Sequence, residues 1–164
     1  MRIETTNQLG FSMIEILVTM IVIATALFGT AGMQIYAMTI SKSSEFRTQA
    51  VLLASDISER MEANKAGMIA SNYKMAATKV ASTSTSDCLN SSCTPAMLAS
   101  WDLSQWSTAA SNILPQPTLA VAVSSVVNTI PASYEIKISW VERSTDKTKR
   151  TEPFTYTAIR TVRN

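Results

Sequence analysis

The apolar residues of this chain are concentrated near its beginning. Between Ile16 and Ile40 there are 25 residues without a charge, 18 of them from the set AVILMFWYC. A helix crosses a bilayer with about 20 such residues, so the run predicts a membrane helix. A secretory signal has an apolar stretch of only about 7 to 15 residues and then a small-residue cleavage site. This run is longer and lacks that exit, so it is expected to stay in the mature protein. Residues 1–10 carry Arg2 and Glu4; with the amino terminus their charge is about +1, which favours a cytoplasmic N-terminus.

After Ser41 the chain turns polar without losing its helical period. Phe46, Ala50, Leu53, Ile57 and Met61 recur at steps of four, three, four and four, an amphipathic stripe, while Asp56 and Arg60 can pair on the wet side. The spacing predicts a helix to about Asn64, with Asn64 and Gly67 as its C-terminal stop. One helix over residues 11–64 would be roughly 80 Å long. From Thr78 to Thr94 the chain is rich in serine and threonine and encloses Cys88 and Cys93, which reads as a loop. The segment Trp101 to Trp106 predicts a short helix capped by Asp102 and stopped near Pro115.

The last third changes period. Tyr134, Ile136, Ile138 and Trp140 alternate with Glu135, Lys137, Ser139 and Val141, Phe154, Tyr156 and Ala158 alternate with threonines, and Leu119 to Val127 is β-branched and apolar. These runs predict three antiparallel strands packed on the long helix, with the polar connection Arg143 to Thr151 joining the last two. The expected class is therefore α+β: a long N-terminal transmembrane and amphipathic helix on a small antiparallel sheet. At 164 residues the chain supports one globular unit plus a membrane element.

Composition removes most catalytic readings. There is no histidine, which excludes Ser-His-Asp and Cys-His catalysis and imidazole zinc sites, and two cysteines are too few for an all-thiolate one. Four glycines in no G-x-G-x-x-G or G-x-x-x-x-G-K-[ST] pattern leave no phosphate cradle. No enzyme activity, cofactor or metal is expected. A net charge of +2 and a pI near 8.6 are too mild to indicate nucleic acid.

Glu15 breaks the apolar rule at the head of the run. An acid at the bilayer centre costs roughly 2.5 to 3.5 kcal/mol and is a functional candidate by default; at headgroup level it would simply stay wet. Around it stands Gly10-Phe11-Ser12-Met13-Ile14-Glu15, followed at once by the apolar run. This string resembles the class III signal of type IV prepilins and pseudopilins. The resemblance implies a dedicated peptidase that cuts after Gly10, N-methylation of Phe11 and an assembly role for Glu15 at the fifth mature position. Residues four apart share a helix face, so the amine freed at Phe11 can meet the Glu15 carboxylate within one subunit or between neighbours. Two departures stand out: no basic residue directly precedes Gly10, and Gly32 occupies a position where many major pilins have proline.

The Asp102-Leu103 to Leu114-Pro115 segment after a cysteine loop is similar to PilV-type minor pilins, although a helix with a tryptophan in the core would look the same. The resemblance implies a pilin fold with a leader at 1–10, a transmembrane and filament-core helix at 11–41 and a periplasmic head at 42–164. It implies an inner-membrane subunit, single-pass before assembly and extracellular in the pilus, that helps to initiate the fibre. Its partners would be major and minor pilins, the prepilin peptidase, the inner-membrane assembly platform and, before assembly, the lipid bilayer. A pseudopilin of type II secretion would share the N-terminus, and an adhesin or DNA-binding minor pilin would place function in the head.

Three further readings carry their own alternatives. Ala24, Ala26, Gly29, Ala31 and Gly32 gather small residues that let helices approach closely or loosen the helix, though glycine is also ordinary in membrane helices. A head outside the cytoplasm would place Cys88 and Cys93 where they should join, closing a ring with a stabilising value of about 2 kcal/mol; four intervening residues do not make a C-x-x-C redox centre. From Lys137 to the C-terminus there are seven basic and three acidic residues. A DNA contact there lacks an aromatic between Arg143 and Thr151 to stack a base, so a solvated hairpin is expected and nucleic acid is not.

Overall fold

The computed structural model describes residues 10–79, 84, 87–127, 130–144 and 148–162. It divides into two compact units, residues 1–41 and 42–164. Helix α1, Met13–Ala63, contributes residues to both. It opens where the Ser12 carbonyl accepts from the backbone N–H of Glu15 and Ile16, two residues later than the expected start.

The second unit is an α+β domain. After α1 come α2 (Lys65–Ile69), β1 (Met75–Thr78), α3 (Pro95–Ile113), β2 (Thr118–Val127), β3 (Ile130–Arg143) and β4 (Thr151–Thr161). The four strands form one antiparallel sheet in the order β1-β2-β3-β4. The three expected strands are present, with a fourth, β1, added beside β2. Met-Ala-Ala-Thr has little β-propensity of its own; its strand form comes from pairing with β2, in a register that shifts between Met75 and Thr78.

The core gathers the predicted stripes. Ala50, Leu53, Ile57 and Met61 of α1 are buried with Tyr134, Ile136, Ile138 and Trp140 of β3 and with Leu119 and Val121 of β2. In β4, Phe154, Tyr156 and Ala158 are half-buried and the alternating threonines are exposed, as period-two patterning requires.

Three local expectations are corrected. Asn64 does not simply stop α1: its Oδ1 accepts from Gly67 N–H and caps α2. Gly67 lies inside α2, and no described glycine has positive φ; Ser71 takes that conformation instead. The helix expected at Trp101 begins six residues earlier, because Thr94 caps it with Pro95 in its first turn, where proline's missing N–H costs nothing. Asp102 therefore sits inside α3 and is buried.

Candidate assembly and processing site

Gly10 and Phe11 precede α1, and both are exposed; Phe11 keeps 80% of its surface open. A Cβ on Gly10 would meet nothing within 4 Å, so the peptide bond after it lies in the open. Glu15 is exposed in the first turn of α1, where the unpaired N–H groups and the helix dipole favour a carboxylate. Gly10, Phe11 and Glu15 thus lie together across the first helical turn and the residues before it.

Beyond that turn the helix presents its apolar side chains outward. Ile21, Val22, Ile23, Leu27, Phe28 and Met33 are all more than half exposed, and the helix is long and apolar enough to cross a membrane. Its hydroxyls are compatible with that setting. Thr19, Thr25, Thr30 and Thr39 donate to the carbonyls of Ile16, Val22, Leu27 and Ile35 at 2.8, 2.8, 3.0 and 3.0 Å. Back-bonding of this kind satisfies a hydroxyl where no water is available. Sequence reading overlooked it, although a mid-helix threonine is signal enough.

Gly29 and Gly32 border a shallow apolar strip with Met33, Tyr36, Ala37 and Ile40. A Cβ at either glycine would meet nothing within 4 Å, so packing inside the first unit does not call for them.

In the second unit Cys88 and Cys93 are bonded, with Cα atoms 5.6 Å apart. A buried polar cluster lies where α1, α2 and α3 converge. The Tyr73 hydroxyl donates to Asp102 Oδ2 at 2.5 Å, and Asn64 Nδ2 donates to Pro95 O at 2.8 Å and to the Tyr73 oxygen at 3.2 Å. Arg60 bridges Asp56 at 2.9 Å and Asp102 at 3.5 Å. Burial, reinforced by the bond to Asp102, pushes the Tyr73 hydroxyl above its ordinary pKa. For Arg60 burial works against the charge, but the two carboxylates outweigh it and the guanidinium is held above its usual range. Sequence reading gave the Asp56 and Arg60 pair but missed the rest of the cluster, because Arg60 and Asp102 stand 42 positions apart. The cluster's bonds tie α1, α2 and α3 together. Among the described residues no acidic, histidine or cysteine group is arranged to hold a metal.

Residues 32–104 match the model of the Tt1218-like family, described as type IV pilin Tt1218. The match runs from Gly32 in α1 to Ser104 in α3, so it shares no residue with the Gly10 to Glu15 string. No curated protein and no solved structure matches the chain.

Proposed function

We propose that this chain, which its family match and α+β fold support as a type IV pilin, is a minor subunit that helps to start a pilus and is built into it. Type IV pilins are structural proteins that assemble with other pilins, and the apolar N-terminal helix suits membrane anchoring before that step. The observation that supports a fibre-forming subunit is the outward apolar surface of α1 directly after Gly10-Phe11-Ser12-Met13-Ile14-Glu15; the minor role rests on the resemblance of the Asp102-Leu103 to Leu114-Pro115 segment to PilV-type minor pilins. Such a surface needs lipid first and other helices later.

In this reading a prepilin peptidase cuts after Gly10, and Phe11 becomes the methylated terminus. The subunit waits in the inner membrane with its head in the periplasm, where Cys88 and Cys93 are oxidised. The assembly platform then draws it into the fibre, and Glu15 compensates the amine of a processed Phe11, its own or a neighbour's. Its role is structural, without catalysis.

Deleting the chain and then counting surface filaments while measuring secretion tests the reading. Lost filaments with normal secretion are expected. Normal filaments with failed secretion would move the chain to the pseudopilins of type II secretion. Mass spectrometry of assembled filaments tests processing: a methylated Phe11 start is expected, and a retained Met1 overturns it.

A further inference from the structure

Asp87 organises the cysteine loop. Its Oδ1 accepts from Leu89 N–H at 3.1 Å, its Oδ2 accepts from Asn90 Nδ2 at 2.7 Å, and its carbonyl accepts from the Ser91 hydroxyl. With Cys88 and Cys93 joined across a separation of five, these bonds hold Asn90 in a turn. Leu89, Asn90, Ser91 and Ser92 are all exposed.

Asn90-Ser91-Ser92 is an N-x-[ST] triplet, the acceptor pattern for N-linked sugar. Of the seven asparagines in the chain, Asn90 alone has Ser or Thr two positions later. In a chain so rich in Ser and Thr the triplet by itself says little. Its position says more, because the pattern becomes meaningful on a surface loop of an exported protein.

We propose that Asn90 is the acceptor of an N-linked glycan, delivered from an oligosaccharide activated as a lipid diphosphate. Asn90 Nδ2 forms a bond to the anomeric carbon, the bond from that carbon to the diphosphate oxygen breaks, the lipid diphosphate departs, and the amide gives up one proton. A side-chain amide carries two hydrogens. One is engaged by Asp87, and replacing the other leaves that bond and the turn intact. The sugar extends into solvent, displaces no core residue and lies beside Leu89, which is 80% exposed.

The proposal requires the loop to leave the cytoplasm and so rests on the topology proposed above. The test takes full-length chain from membranes and sheared filaments of its own host and measures the unreduced peptide containing Cys88, Asn90 and Cys93 by mass spectrometry. Wild type and Ser92→Thr should carry a sugar mass on Asn90, and Asn90→Gln and Ser92→Ala should lose it entirely. A disulfide-bonded peptide with bare Asn90 overturns the glycan and leaves the topology standing. A bare Asn90 beside free thiols overturns both. Sugar found on neighbouring serines or threonines, and retained in Asn90→Gln, also overturns the proposal.

Discussion

In residues 13–41 of α1 the large apolar side chains face outward, whereas in residues 42–63 the stripe Ala50, Leu53, Ile57 and Met61 is buried against the chain's own sheet and α3. Both stretches contain hydroxyls that back-bond to the preceding turn, as Thr25 and Ser58 show. They differ in who supplies the apolar partner. Residues 42–63 find it in the same chain, so substitutions there should act on folding. Residues 13–41 have none in the described chain, so substitutions there should act on membrane residence and assembly while the head stays folded.

The strongest way to break this contrast is a pair of aromatic truncations. Trp106 is fully buried and donates Nε1 to Leu53 O at 2.8 Å. Trp106→Ala should destabilise the head by about 3 to 5 kcal/mol, and Phe28→Ala, at an 81% exposed position, should leave head unfolding unchanged. Denaturation of full-length chain in detergent, followed by near-ultraviolet circular dichroism, measures both. Equal losses would end the contrast.

Glu15→Val comes next. Cleavage after Gly10 and membrane insertion should persist, while recovery in sheared filaments should fall steeply, since breaking a buried charge pair costs about 3 to 5 kcal/mol. Normal cleavage together with normal incorporation would exclude the docking role of Glu15.

Tyr73→Phe probes the polar cluster of the second unit. Losing the hydroxyl leaves buried Asp102 with Arg60 alone and should cost about 1 to 3 kcal/mol. The pH dependence has a fixed sign. Tyr73's folded pKa is raised above 10.0, so its contribution is full below pH 10 and is lost as pH rises through the folded value. Tyr73→Phe should therefore flatten the alkaline limb of a stability profile. A residual limb from Tyr134, also raised by burial, should remain.

The finest comparison uses two glycines. A Cβ on Gly67 would come within 2.5 Å of Asn64 Nδ2 and 2.9 Å of the Pro95 carbonyl, so Gly67→Ala should cost about 1 to 3 kcal/mol in head stability. Gly29→Ala meets nothing and should leave the head unaffected while favouring the helix by about 1 kcal/mol. A change confined to filament recovery would assign Gly29 to packing between subunits; unchanged recovery would make it ordinary helix composition.

Periodicity made most of the architecture readable. The α1 stripe and the alternation from Tyr134 to Trp140 were visible because burial on one face imposes a period. β1 was not, since alanines carry no strand signal and a partner strand decides their conformation. The start of α3 was readable in Thr94-Pro95, a cap followed by a residue suited to the first turn, but the polar Asp102 attracted the capping role. Its true partners, Tyr73 and Arg60, are set by how α3 lies against the end of α1, which local pattern does not encode. The proposed N-terminal site, Gly10 to Glu15, is argued from the sequence string itself, because a linear signal needs no fold to bring its residues together.

The meander order of the sheet also bears on the order of folding. Each strand pairs only with its neighbours in sequence; the β2–β3 and β3–β4 connections are short and cost little entropy, whereas β1 reaches β2 only across the cysteine loop and α3. The expensive closures are those from Leu53 to Trp106, 53 positions apart, and from Glu62 to Arg160, 98 apart. Zippering of β2, β3 and β4 is therefore the quick phase, and docking of these strands and α3 onto α1 is the slow one. With Trp101 and Trp140 replaced by Phe, so that Trp106 alone reports the late contact with Leu53, tryptophan fluorescence during refolding should accordingly lag behind the far-ultraviolet signal.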